Sequence, residues 1–136
     1  MKGLLWLAAT LACGMAASPT KAARPSALPD GSWGGEHIAI TVGATGSKIE
    51  FDCAHGRIDG AFALDAAGEF ELSGTFSKEH GGPIRRDERE QRLPAIYSGR
   101  VNGDRMTLTI RLRDAKEILG DFTLGRDKAP RLVKCL

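Results

Sequence analysis

The chain has 136 residues, of which 42% are hydrophobic and 26% charged, and a formal net charge of +2. Near-neutral charge and an aromatic content of 6% argue against nucleic-acid binding, which needs a basic excess and aromatics on which bases stack. The length fits one domain by the usual size of roughly 100–200 residues.

Residues 1–17 read as an export signal. Lys2 precedes an apolar run from Leu4 to Leu11, and small residues follow at Gly14, Ala16 and Ala17. The run falls well short of the roughly 20 apolar residues that span a membrane. Release to the periplasm or the exterior is therefore expected. Leu11-Ala12-Cys13-Gly14 offers an alternative, a lipoprotein acylated on Cys13 and anchored to the membrane. The preceding Thr10-Leu11-Ala12 departs from such sites, which carry Leu three places upstream and a small residue in the middle. Either way Cys53 and Cys135 are the thiols that remain, and in an oxidising compartment they are expected to pair. That bond would close a loop of about 80 residues, worth on the order of 4 kcal/mol in the chain-entropy picture.

Residues 18–30 carry Pro19, Pro25 and Pro29 among Ala and Ser and read as a disordered tether. Residues 31–136 then form a single β domain, in which period-two alternation dominates. Ile38, Ile40 and Val42 alternate with His37, Ala39 and Thr41. Ile49, Phe51 and Cys53 alternate with Lys48, Glu50 and Asp52. Ile58, Phe62 and Leu64 form one further stripe, and Phe70, Leu72 and Phe76 another. Met106, Leu108, Ile110 and Leu112 form a fifth. Weaker strands cover 96–101, 118–124 and 132–136. Gly43 to Gly46 and Ala66-Ala67-Gly68 suit hairpin loops, and Asn102-Gly103 is a strong type I′ signal.

The pattern predicts an all-β fold, a small antiparallel up-and-down β-barrel of about eight strands. A compact β-sandwich is the alternative. Two features favour the barrel: closure removes exposed edges, and the disulfide would tie an early strand to the last. The inward set, with Phe122 added, is bulky and apolar, which predicts a filled interior without a polar group to orient a ligand. Cys53 and Cys135 fall on inward positions of their strands, so the bond is expected to point into the core.

Gly31-Ser32-Trp33, just before the first alternating stripe, resembles the Gly-x-Trp start of lipocalin- and avidin-like barrels. The resemblance implies that Trp33 plugs one barrel end with a late basic residue packed on it, here Arg131 or Lys134. The domain also resembles a family of small secreted bacterial β proteins without an assigned activity. The shared pieces are Trp33-Gly34-Gly35-Glu36-His37-Ile38, Phe51-Asp52-Cys53-Ala54-His55-Gly56, Gly81-Gly82-Pro83, Tyr97-Ser98-Gly99 and Lys134-Cys135-Leu136. This second resemblance implies export and a β fold.

Charge is unevenly spread. From Asp30 to Ser77 acidic residues dominate, and from Arg100 onward basic ones do. Opposite charges on neighbouring strands are the expected outcome. The long connection from Lys78 to Pro94 is the candidate interaction site, since long loops in compact domains are functional or disordered. Gly81, Gly82 and Pro83 would shape it, and Arg85 and Arg86 would make the contacts. His37, His55 and His80 lack the spacing of zinc ligands, so no metal is expected. No nucleophile elbow and no phosphate-cradling glycine loop is present, so neither an enzyme nor a cofactor is expected. The reading is an exported binding or interaction module. A lipocalin-like carrier of a small apolar ligand, or a secreted protease inhibitor, is the alternative.

Overall fold

A computed structural model describes residues 14, 26–83, 85–87 and 89–135. The expected export signal, the Cys13 acylation site and most of the expected tether lie outside these residues. Ten strands follow in order: β1 (Ser26–Ala27), β2 (Gly31–Gly35), β3 (Ile38–Val42), β4 (Gly46–Phe51), β5 (Ala54–Asp59), β6 (Ala63–Leu64), β7 (Glu69–Lys78), β8 (Leu93–Asn102), β9 (Arg105–Leu112) and β10 (Ile118–Arg126). Eight of them close into a barrel in the order β10-β2-β3-β4-β5-β7-β8-β9, and β1 pairs with β6 outside it. Each neighbouring pair around the barrel is antiparallel. The up-and-down barrel is thus the fold, and closure rules out the sandwich.

Alternation sets the two faces of the wall. Ile38, Ile40, Ile49, Ile58, Tyr97, Met106, Leu108 and Ile110 are fully buried inside. Lys48, Glu50, Arg57, Glu71 and Arg111 stand exposed outside. A wall that is apolar within and charged without is the inverse of a transmembrane barrel, whose outer band faces lipid. The acidic early half and the basic late half do meet, through Arg131–Glu36 at 3.4 Å, Lys134–Glu79 at 3.1 Å and Arg111–Glu71 at 3.5 Å. Exposed pairs of this kind add little stability.

Several expectations need correction. The tether does not extend to residue 30, because Ser26–Ala27 pairs with Ala63–Leu64 and Leu28 is buried in the core. Leu28 has enough apolar surface to hold the incoming chain against the barrel, and its backbone N–H donates to the Phe62 carbonyl. Residues 31–35 form a strand of their own. Its glycines mark close backbone approach: a Cβ on Gly34 would lie 2.1 Å from the Lys128 carbonyl oxygen, and one on Gly35 would lie 2.2 Å from that of Thr123. The stripe from Ile58 to Leu64 breaks at Gly60, whose positive φ of 75° ends β5 and lets β6 turn away.

The closing residues 132–135 make no strand. Cys53 and Cys135 are bonded, with Cα atoms 5.2 Å apart, but both residues are exposed and the bond lies on the surface. Cys53 sits in the turn between β4 and β5, where alternation no longer governs direction. Finally, the cation over Trp33 is Arg126, its Cζ 4.9 Å from the ring centroid. Arg131 and Lys134 lie beyond the end of β10 and are drawn to Glu36 and Glu79 instead.

Candidate functional site

The two barrel ends are built differently. Where β10 finishes, the interior is sealed. Trp33 is 2% exposed, and Leu28, Phe62 and Phe70 are buried with it in one core cluster. The Phe62 and Phe70 rings meet edge to face at 4.8 Å.

At the opposite end the turns after β2, β4, β7 and β9 surround a cup of about 220 Å³. Its walls are Phe51, Phe76, Ile110, Leu119 and Phe122, and its polar lining is His37 and Asp52. Phe51 anchors the aromatic wall, 5.4 Å from Phe76 and 5.7 Å from Phe122. Phe122 and Leu119 are only partly buried although they occupy inward positions. Alternation gives Phe122 its inward face, a β-bulge between Ile118 and Gly120 brings Leu119 to the same side, and depth along the barrel sets how wet both are.

Backbone geometry brings the polar pair together. His37 occupies the left-handed region at φ 65° in the turn from β2 to β3, a conformation that costs a non-glycine residue free energy. There its Nδ1 lies 2.6 Å from Asp52 Oδ2. The C-terminal residues lace across the same turns. The His37 N–H donates to the Arg131 carbonyl at 2.8 Å, and the Arg131 N–H donates back to Gly35. The Val133 N–H donates to Asp52 Oδ1 at 2.8 Å, and the Lys134 ammonium donates to the Phe51 carbonyl at 2.9 Å. The disulfide then pins the strap beside Asp52. The Val133 N–H, the largest influence, holds the Asp52 carboxyl below its ordinary value against desolvation, with His37 and Lys134 adding to the lowering.

The expected loop sits elsewhere. Its irregular part runs over 79–92, since Lys78 and Pro94 belong to β7 and β8. None of its described residues lines the cup. It lies along the outer wall, where Glu90 and Arg92 form one side of a groove of about 310 Å³ against β4, β5 and β7. His55 clasps its two ends, with Nδ1 2.9 Å from Glu79 Oε1 and Nε2 bonded to Glu90 Oε1. An imidazole donates from both nitrogens only when protonated, so this clasp is complete in the imidazolium form. His55 lowers the Glu90 carboxyl first, Arg92 adding to it. Burial alone would raise Glu79, yet hydrogen bonds from Lys134 and His55 outweigh it and the carboxyl titrates below its usual range.

Gly81, Gly82, Pro83, Arg85 and Arg86 are all exposed at the tip of this loop. Gly82 has a φ of 90°, which explains glycine there. Pro83 and Arg85, with His80 and Asp87, border an open hollow of the loop itself. Among the described residues no group of three or more His, Cys, Asp and Glu side chains converges to hold a metal ion.

Sequence reasoning missed the His37–Asp52 and His55–Glu79–Glu90 groupings, because the pairing of β3 with β4 and of β5 with β7 and the fold-back of the 79–92 loop, rather than local spacing, bring them together. It also missed Tyr97, which is fully buried and whose hydroxyl donates to the Thr75 carbonyl at 2.6 Å. Burial raises its phenol well above the ordinary value. The ring occupies the interior space left by Gly56, where a Cβ would meet the Tyr97 hydroxyl at 2.1 Å. Comparison of the chain with protein-family models, with curated proteins and with solved structures gave no match.

Proposed function

We propose that the protein is an exported, non-enzymatic binding module whose barrel mouth takes up a small apolar molecule or group. The observation that carries this reading is the contrast between one sealed end and one end where partly wet Phe and Leu side chains line a cup beside a polar pair. Ligand sites are concave and mostly apolar, with a few placed polar groups. Magnitude limits the occupant. A dry cavity of roughly 150 Å³ holds benzene, and drug-sized ligands take roughly 300–1,000 Å³. A cup of about 220 Å³ therefore suits one ring, a short chain, or the end of something longer. The surface disulfide supports export, since such bonds persist in oxidising compartments.

The test is a methyl-detected NMR titration with benzene as the apolar probe. Shifts confined to Ile110, Leu119 and their neighbours, and lost in Leu119→Glu, are expected. Absence of shifts at saturating benzene overturns the reading.

A second reading, recognition of a protein partner by the 79–92 loop, is favoured by the His55 clasp, which fixes the loop base and presents Gly81, Gly82, Pro83, Arg85 and Arg86. Inhibition of a secreted protease is its narrower form. Replacing the loop by a Gly-Ser turn should abolish partner recovery from envelope extracts. Equal recovery by both versions removes this reading.

A further inference from the structure

We infer that the mouth prefers an uncharged, hydroxyl-bearing apolar molecule, such as a small phenol or short alcohol, over the carboxylate or ammonium of the same size. This rests on reading the mouth as a binding cup, and adds the chemistry of the ligand head.

The first ground is hydrogen-bond logic at His37. Its Nδ1 is committed to Asp52, and its Nε2 has no partner among the described residues. With a neutral ring the proton sits on Nδ1 and Nε2 accepts. With a protonated ring Nε2 donates. A hydroxyl both donates and accepts, so it satisfies Nε2 in either state. A carboxylate is matched only to the protonated ring, and an ammonium only to the neutral one.

The second ground is the charge already at the rim. Asp52, itself part of the cup lining, is anionic and engaged with His37 and the Val133 N–H. Glu36 is paired with Arg131, and Lys134 with Glu79. An incoming carboxylate meets Asp52. An incoming ammonium would give up hydration for carboxylates that are already engaged, Asp52 with His37 and the Val133 N–H, Glu36 with Arg131 and Glu79 with Lys134. At separations of about 6 Å, one uncompensated like charge weakens binding by about threefold in water-like surroundings and more where the cup excludes water. A hydroxyl meets neither cost.

The third ground is shape. Phe51, Phe76 and Phe122 present tilted rings, the arrangement in which a further ring packs edge to face. His37 and Asp52 are the polar members of the same lining, so an aromatic body with one polar substituent is matched by directing that substituent to His37.

Benzene, phenol, benzoate and benzylammonium are titrated into the isotope-labelled protein and followed at Leu119, Ile110 and the His37 ring. Phenol should bind about three- to tenfold tighter than benzene, the worth of one net hydrogen bond, and tighter than either charged analogue. In His37→Gly the advantage over benzene should vanish. Glycine tolerates the left-handed backbone at this position, so the turn and the strap are retained. Equal affinity for benzene and phenol, or tighter binding of benzoate or benzylammonium, overturns the hydroxyl inference and leaves the cup standing. No shift with any of the four ligands removes both.

Discussion

The sealed end and the open end of the barrel are held by different physics. At the sealed end, buried side chains close the interior with apolar bulk: Leu28 ahead of β2, Trp33 within it, and Phe62 and Phe70 on either side of β6. At the open end every connection stays on the rim or the outer wall. The loop over 79–92 is clasped by His55, and the C-terminal strap is held by Asp52, Lys134 and the Cys53–Cys135 bond. Hydrophobic burial thus closes and stabilises one end. Polar and covalent ties shape the end where apolar walls stay accessible, because they fix turns without filling the space between them.

The largest expected effect breaks the sealed end. Trp33→Ala removes a side chain that is 2% exposed and should cost about 3–5 kcal/mol, the usual loss for a buried aromatic. Urea unfolding followed by circular dichroism measures it. Phe122→Ala at the mouth provides the contrast, and should cost clearly less because that ring is only partly buried. Equal losses would mean that the two ends are not built as differently as the burial indicates.

The disulfide comes next. Cys135→Ser, which opens a bond spanning 82 residues, should lower stability by about 2–4 kcal/mol. The loss should be uneven. Hydrogen-exchange protection should fall at His37 and Val133, whose N–H groups take part in the strap. It should persist at Leu28, whose N–H bonds to Phe62. Uniform loss would show that the strap supports the whole barrel and not its mouth alone.

How much of this was legible before the structure follows from what alternation can and cannot encode. Stripes such as Ile38-Ile40-Val42 and Met106-Leu108-Ile110-Leu112 name their face and so named their strands. The strand Gly31–Gly35 has only Trp33 to bury, and its glycines encode contact with the carbonyls of Thr123 and Lys128, which is visible only once the barrel closes. The pairing of Cys53 with Cys135 was readable from the cysteine count. Its place on the surface was not, because turn residues escape the strand period. The mouth was half legible. Its wall residues Phe51, Phe76 and Phe122 belonged to the inward set, but their height along the axis depends on strand register. The partners His37 and Asp52 come from two separate turns, joined by the pairing of Ile38 with Phe51.

A smaller and more local effect comes from acid. Asp52, Glu79 and Glu90 all titrate below their ordinary values, and all three lie at or beside the open end. A carboxyl that titrates lower in the fold than in the unfolded chain adds stability that is fully present above its ordinary value. That value is 3.8 for Asp52 and 4.5 for the two Glu residues. The contribution drains away as pH falls through the lowered values. Acidification below those ordinary values should therefore loosen the strap and the 79–92 loop first, while the Trp33 environment stays unchanged. Near-neutral and acidic NMR spectra, compared at Val133, Glu90 and the Trp33 indole, test this. Early change at the indole would contradict it.

The smallest expected effect sharpens the sealed end. The Arg126 guanidinium lies over the Trp33 ring at 4.9 Å and reaches Asp104 at 3.2 Å. Its side chain is 36% exposed, so solvent screens both interactions, and a cation over an aromatic ring in such a place is worth roughly 0.5–1 kcal/mol. Arg126→Ala should cost about that much, with a little more from the aliphatic stem that shields the indole. Arg126→Lys keeps the charge and loses the planar stacking surface, so it should recover only part of the loss. A double-mutant cycle with Trp33→Phe separates the causes. If the ring contact dominates, the two substitutions will be non-additive, whereas additivity would assign the effect to Asp104. In either case NMR shifts at Leu119 and Phe122 should stay unchanged, since Arg126 lies at the far end of the same strand.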